Sequence, residues 1–159
     1  MPTTKSRTLL RRVRMVSISA ITAILILLTL LPGIIYFVAL FNISGRPTHA
    51  QECRLNSAQM LVLWRDLGES AQSENDIAVP AMNPWSAAAR VLNFESQQET
   101  GERAARIVAR THNVSHLGNR RMAWWHASGA ALTIWLTRHW TAEELLCKIN
   151  EIRAQQVTR

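Results

Sequence analysis

The feature that most constrains this chain is a run of 31 residues without a charged side chain, from Met15 to Gly45. Ile, Leu, Ala, Val and Phe dominate it. A helix crosses the hydrocarbon core of a bilayer with about 20 apolar residues, and it satisfies its backbone hydrogen bonds internally. The run therefore predicts a transmembrane helix over residues 15–43. Pro32-Gly33 lies inside it and is expected to kink the helix or to divide it into two pieces.

A cleaved signal peptide is the alternative interpretation of this run. The apolar part of a signal peptide is about 7–15 residues long, which is much shorter. The segment Thr48-His49-Ala50 nevertheless has the small residues of a cleavage site, so cleavage stays open as an alternative. The length of the run favours an uncleaved signal anchor.

The basic residues near the N-terminus predict the orientation of this helix. Residues 1–14 hold five of them and no acid, whereas only Arg46 follows the run closely. The positive-inside rule keeps this tail in the cytoplasm and exports residues 56–159 through a connector at 44–55. Of the net charge of +7, the tail carries +5. The basic excess therefore orients the helix and contacts membrane lipid, and nucleic acid is not expected as a partner.

The exported part is predicted to be an all-α domain, because no segment alternates with the period of a strand. Asn83-Pro84 has the form of an N-cap followed by a first-turn proline, and Thr141 to Glu144 form a capping box. Glu69–Asp76 and Glu95–Thr100 are expected to be loops. With the apolar spacing, these signals predict helices over Asn56–Leu67, Asn83–Leu92, Gly101–Thr111, Asn119–His139 and from Thr141 onward.

The tryptophans divide into two groups by position. Trp124, Trp125 and Trp135 recur at helical spacing and are expected to pack in the core. Trp85 and Trp140 lie near helix starts and are expected to be partly exposed, which makes them candidates for contact with a ligand or partner.

Cys53 and Cys147 both lie in the exported part. In an oxidising compartment they would form one disulfide that closes a loop of roughly 90 residues and contributes about 4 kcal/mol. Two separate thiols are the alternative, since sequence does not show whether they meet.

Neither the cysteines nor the histidines predict a metal site or another cofactor. The two cysteines have no histidine at ligand spacing. His112 and His116 are four residues apart but lack the glutamate of a metalloprotease helix, and we interpret them as polar loop histidines.

A segment near the C-terminal end resembles a known family. Arg120-Arg121-Met122, the run Ile134-Trp135-Leu136-Thr137-Arg138-His139-Trp140 and the following Thr141 to Leu146 are similar to one part of the peptidoglycan glycosyltransferases, the transglycosylase half of class A penicillin-binding proteins. The resemblance implies a small, truncated lysozyme-like domain on the outer side of a bacterial inner membrane. It implies Arg120 and Arg121, with Trp85 and Trp140, as residues that bind a lipid-linked peptidoglycan precursor or a cell-wall synthase.

The chain departs from this family at the catalytic positions. The catalytic Glu would fall at Arg65, and a second Glu near Gly129. A Ser-Thr-Ile-Thr-Gln-Gln run is replaced by Glu102 to Ile107. Arginine cannot act as the base that deprotonates a sugar hydroxyl. The sequence thus predicts a non-catalytic binding or scaffolding module in peptidoglycan assembly.

Two other functions remain open at this stage. The first is an active glycosyltransferase that uses relocated carboxylates, with Asp66, Glu69 and Glu102 as the candidate catalytic residues. It requires two carboxylates that face each other across a cleft. The second is an accessory subunit of a secretion or division complex, in which the transmembrane helix itself forms part of the interface.

Overall fold

The computed structural model describes residues 4–53, 55–68, 70–92, 101–116 and 122–157. Side chains are described from Ser17 onward, except at 91 and 92. The described residues form an all-α structure without a strand, as predicted. The predicted loop Glu95–Thr100 and the residues Glu69, Arg120 and Arg121 lie outside the described residues. The helices are α1 (Thr4–Phe41), α2 (Ser57–Asp66), α3 (Pro84–Leu92), α4 (Glu102–His116), α5 (Met122–His139) and α6 (Ala142–Val157).

Helix α1 contains a stretch, Ser17–Phe41, that is long and apolar enough to cross a membrane. Its position near the N-terminus is that of a membrane anchor or a signal sequence. The expectation that Pro32 divides the helix is wrong, since α1 continues through it. Proline removes only one backbone hydrogen bond, and neighbouring packed elements often make this loss tolerable in membrane helices.

Helices α2, α3 and α6 start where the local signals in the sequence predict. The side-chain oxygen of Asn56 accepts from Gln59 N, and that of Asn83 accepts from Ser86 N at 2.7 Å. The Thr141 hydroxyl accepts from Glu144 N, while Glu144 accepts from Thr141 N at 2.6 Å. These side chains satisfy backbone donors that the first helical turn leaves unpaired. The predicted caps of α3 and α6 are confirmed, and Asn56 caps α2 in the same way.

The last turns of α1 belong to the hydrophobic core that the later helices form. Gly33, Tyr36, Leu40 and Ile43 recur at intervals of three or four residues, which places them on one face, and all four are buried. This face packs against α5 and α3. The opposite face, with Ile34, Phe37 and Phe41, is exposed. Anchor and domain therefore share one hydrophobic core.

Helices α4 and α5 make the most extensive helix pair. They run antiparallel, because Asn113 near the end of α4 contacts Trp125 near the start of α5. Helix α6 packs against α4 and α2 and buries Leu145, Leu146, Ile149 and Ile152, as its apolar stripe predicts. The core thus lies between α1, α4, α5 and α6, with Trp64 of α2 completely buried.

Two predictions about α4 and α5 are wrong. Helix α4 continues beyond Thr111 to His116, so His112 and His116 lie on a helix and not in a loop. Their rings stack with centroids 4.0 Å apart. Trp124 is 40 % exposed instead of packing in the core, and Trp125 is only partly buried; Trp135 does pack against the core, although part of it stays exposed. The apolar character of α5 extends around the helix, so spacing alone does not select the buried face.

Candidate functional site

A cleft of about 390 Å³ opens between α3, α4 and α5. Its volume is within the usual range for small-molecule sites. Arg90 comes from α3, Trp125 and Gly129 from α5, and a polar row from α4. That row, Glu102, Arg106, Arg110 and Asn113, follows the spacing of one helix face. The remaining lining residues are Met82, Ala87, His126, Ala130, Thr133 and Ile134.

Glu102 is a buried carboxylate held between two arginines. It is 6 % exposed. One of its oxygens accepts from Arg90 Nη1 at 2.8 Å, and the other pairs with Arg106 one turn along α4. Its place in the first turn of α4 adds a favourable interaction with the helix dipole. Glu102 therefore fixes α3 against α4 and positions the two guanidinium groups at the cleft.

Arg110 is the cation of this cleft that has no acidic partner among the described residues. Its guanidinium carbon lies 5.9 Å from the centroid of the Trp125 ring. This geometry is that of a cation–π contact, which orients the guanidinium without using its N–H donors. The five donors of Arg110 therefore remain available for an oxyanion.

Asn113 presents an unused acceptor at the same cleft. The residue is 1 % exposed, and its Nδ2 donates to the Trp125 main-chain oxygen at 3.3 Å. Its Oδ1 is buried and accepts no hydrogen bond from the part of the chain that the structure describes. Gly129 permits this placement, since a β-carbon there would lie 3.3 Å from Asn113 Nδ2. A buried acceptor without a donor costs free energy and marks a position where a ligand hydroxyl or N–H group would fit.

Among the described residues that line the cleft, positive charge exceeds negative charge. Three arginines line it, and Glu102 is the only carboxylate among the described residues that do so. Both oxygens of Glu102 are engaged by arginine. Glycoside chemistry usually requires two carboxyl groups that flank the reacting bond. The described geometry therefore offers binding without an acid–base pair.

The carboxylates proposed from the sequence do not converge. Asp66 lies on a different surface, between α2 and α6, where Arg153 Nη1 is 3.4 Å from its Oδ2. Glu102 is the one candidate that reaches the cleft, and Glu69 lies outside the described residues. The resemblance placed the two catalytic acids of the family at Arg65 and near Gly129. Gly129 lines the cleft, whereas Arg65 is engaged with the Ala71 main-chain oxygen at 2.9 Å.

The two tryptophans proposed as contact residues have different environments. Trp85 is 50 % exposed, as expected, and its Nε1 donates to the main-chain oxygen of Thr29 at 2.7 Å. Trp140 is 5 % exposed, so the expectation of partial exposure is wrong. It stacks on His49 with ring centroids 4.3 Å apart. The connector covers Trp140 because it runs back along the end of α5, where Arg46 lies over Trp135 and His49 over Trp140. No local signal in the sequence predicts this path.

Cys53 and Cys147 form a disulfide with a Cα–Cα distance of 5.3 Å. It ties the connector after α1 to the first half of α6. Disulfides persist in oxidising compartments and are rare in the cytosol. The bond therefore indicates an extracytoplasmic domain. Glu143 lies close enough to both sulfur atoms to complete a three-ligand group, but sulfur atoms joined in a disulfide do not serve as thiolate ligands.

Sequence reasoning missed Arg90, Arg110, Asn113 and Trp125 as site residues. The spacing of Glu102, Arg106, Arg110 and Asn113 was a readable signal, because it aligns one acid, two bases and one amide along one helix face. What the spacing does not show is that α3 and α5 enclose that face.

No protein-family model, curated protein or solved structure matches this chain significantly. The resemblance to the peptidoglycan glycosyltransferases and the lysozyme-like arrangement therefore stay predictions. What the chain can do has to be argued from its own geometry.

Proposed function

We propose that this chain is a single-pass membrane protein of the cell envelope whose exported domain binds an anionic ligand without turning it over. The observation that carries the proposal is the cleft between α3, α4 and α5. It combines the guanidinium of Arg110, held by Trp125, with the buried acceptor of Asn113. An oxyanion next to a hydroxyl or N–H donor is the ligand chemistry that fits both groups.

The location of the domain supports this proposal. The five basic residues before the apolar run favour a cytoplasmic N-terminus, and the disulfide favours an oxidising compartment for residues after the anchor. The buried face of α1 supports an uncleaved anchor. Cleavage after Ala50 would separate Tyr36, Leu40 and Ile43 from a core to which they contribute. Their removal would expose α5 where α1 now covers it.

The resemblance of residues 120–146 to the peptidoglycan glycosyltransferases suggests the source of the ligand. A lipid-linked peptidoglycan precursor carries phosphate groups and sugar hydroxyls beside each other, which is the combination that the cleft requires. We therefore propose a non-catalytic binding or scaffolding role in peptidoglycan assembly. Arginine suits phosphate because its planar fork donates two parallel hydrogen bonds.

Binding of the lipid-linked precursor to the full chain in lipid nanodiscs tests this function. We expect measurable binding that Arg110→Ala weakens by about tenfold or more, the usual effect of losing a charge-assisted hydrogen bond. Arg153→Ala is the matched control, because it removes the same charge from the surface between α2 and α6. We expect no glycan polymer after incubation with the precursor.

Two results would overturn the proposal. A polymeric glycan product would show turnover and favour an active glycosyltransferase. Equal affinities of the wild type, Arg110→Ala and Arg153→Ala would show that the cleft does not hold the ligand.

A further inference from the structure

The exported domain contacts α1 deep within the candidate membrane span. The contact is the hydrogen bond from Trp85 Nε1 to the main-chain oxygen of Thr29. Thr29 lies 12 residues before Phe41, the last residue of the span, which is about 18 Å along the helix axis. The ring of Trp85 also approaches Gly33, where a β-carbon would lie 3.4 Å from its Cζ2. The start of α3 is thus fixed beside the middle of α1.

A bilayer placement that keeps Arg14 outside the hydrocarbon core buries this contact in the membrane. Arg14 is the last charged residue before the apolar run, so the hydrocarbon core can begin at Met15 at the lowest. A core of about 20 residues then ends near Ile34, and Thr29 lies about 8 Å inside its outer boundary. Any higher placement puts Thr29 deeper. Trp85 must therefore lie at the depth of the lipid acyl chains.

The chain around Trp85 has the composition that this depth requires. From Ile77 to Ala89 it carries no charged residue over 13 positions. Ala81, Trp85 and Ala89 are exposed. The charges at the ends of this segment point elsewhere: Arg90 pairs with Glu102 in the cleft, and Asp76 accepts from Ser73 and Gln72.

Arg138 marks the level of the lipid head groups. Arg138 donates from its Nε to the Met82 main-chain oxygen at 2.7 Å, and its charge lies close to Tyr36. Tyr36 is seven residues above Thr29, about 10 Å, which places it outside the core in the lowest placement. Tyrosine and arginine are typical of this interfacial region. The order along α1 is therefore Trp85 in the acyl region and Tyr36 with Arg138 at the surface.

We propose that the start of α3 around Trp85 is immersed in the outer leaflet, so that the exported domain sits partly within the membrane. Its partner is the lipid itself: acyl chains contact Trp85 and Ala89, and head groups surround Arg138. Immersion holds the domain in one orientation on its anchor. It also places the cleft, which begins at Met82 and Ala87 on the same segment, close to the membrane surface.

Fluorescence quenching in bilayers of the full chain tests this immersion. Lipids brominated at the upper acyl carbons should quench part of the tryptophan emission, and Trp85→Phe should remove the larger part of that quenching. Phenylalanine keeps an apolar ring at the site and loses only the indole donor. Identical quenching of the wild type and Trp85→Phe would overturn the proposal.

Spin labels give a second measurement that does not depend on Trp85. Ala89→Cys replaces an exposed alanine one turn from Trp85, and labelling without reductant leaves the Cys53–Cys147 disulfide intact. We expect a label at Ala89→Cys to be several-fold more accessible to oxygen, relative to a water-soluble nickel complex, than a label at Ala58→Cys. Ala58 is the control because it lines the surface that holds Asp66 and Arg153. Equal ratios at the two positions would also overturn the proposal.

Discussion

Gly33 lies against the indole ring of Trp85, where a β-carbon would be at ordinary contact distance, 3.4 Å from Cζ2. This contact joins α1 to the first turn of α3. A close approach of two helices requires a small residue on one of them, and Gly33 supplies it.

Substitutions of Gly33 test whether its contact with Trp85 holds α3 against α1. Gly33→Leu forces α3 away from α1, and we expect it to lower the free energy of unfolding by about 1–3 kcal/mol, the usual cost of overpacking. Gly33→Ala should remain within about 1 kcal/mol of the wild type, because its methyl group fits at ordinary contact distance and alanine favours a helix. Thermal unfolding in detergent micelles measures both. Equal stability of Gly33→Leu and Gly33→Ala would show that this contact does not hold α3.

Removal of the charge of Glu102 should destabilise the domain. Glu102→Gln removes the charge that pairs with the mostly buried Arg90, and we expect a loss of about 2–3 kcal/mol in the free energy of unfolding. Asp66→Asn is the matched control and should cost less than about 1 kcal/mol, since that ion pair is exposed. Denaturant titration followed by circular dichroism checks the difference. A control that costs as much as Glu102→Gln would contradict the structural role of the buried pair.

The disulfide should contribute strongly to stability because it joins residues 94 positions apart. In the chain-entropy model, a closed loop of this length contributes about 4 kcal/mol. We expect Cys53→Ser with Cys147→Ser to lose about 2–4 kcal/mol, and reductant to have no further effect on this double variant. Unfolding curves with and without reductant measure both effects. A wild type whose stability does not change on reduction would contradict this account.

Stability should fall in mild acid because of His112. Burial lowers the pKa of His112, and the nearby His116 and Arg46 act in the same direction. The unfolded chain therefore binds a proton more readily than the folded chain, so this contribution is present above about pH 6.5 and is lost as the pH falls toward the folded pKa. We expect a decrease in Tm between neutral and mildly acidic pH that His112→Asn reduces. A variant with the same pH dependence as the wild type would exclude His112 as the cause.

The local signals in the sequence predicted the start of three helices correctly. Asn56, Asn83 and Thr141 cap α2, α3 and α6, because a capping side chain bonds to backbone groups only two or three residues away. Local signals failed at the end of α4, where residues of low helix propensity continue the helix to His116. There the packing of α4 against α5 outweighs intrinsic preference.

The candidate site was less predictable than the helices. The polar row on α4 was present in the sequence, but Arg90 and Trp125 come from other helices, and their approach depends on the packing of α3 and α5. The same holds for Trp140, which the returning connector buries, and for the contact between Trp85 and Thr29, which are 56 residues apart.

By itself, the sequence predicted the long apolar helix near the N-terminus, the all-α character of the described residues and the caps of α3 and α6. These properties depend on residue type, run length and spacing within one element. Only the tertiary structure decided that one face of the anchor belongs to the core, that Glu102 and Arg110 face one cleft, and that Ile77–Ala89 lies beside the span. These properties arise from contacts between elements far apart in the chain, where the gain from burying apolar surface and pairing charges selects one packing among many that the local patterns allow.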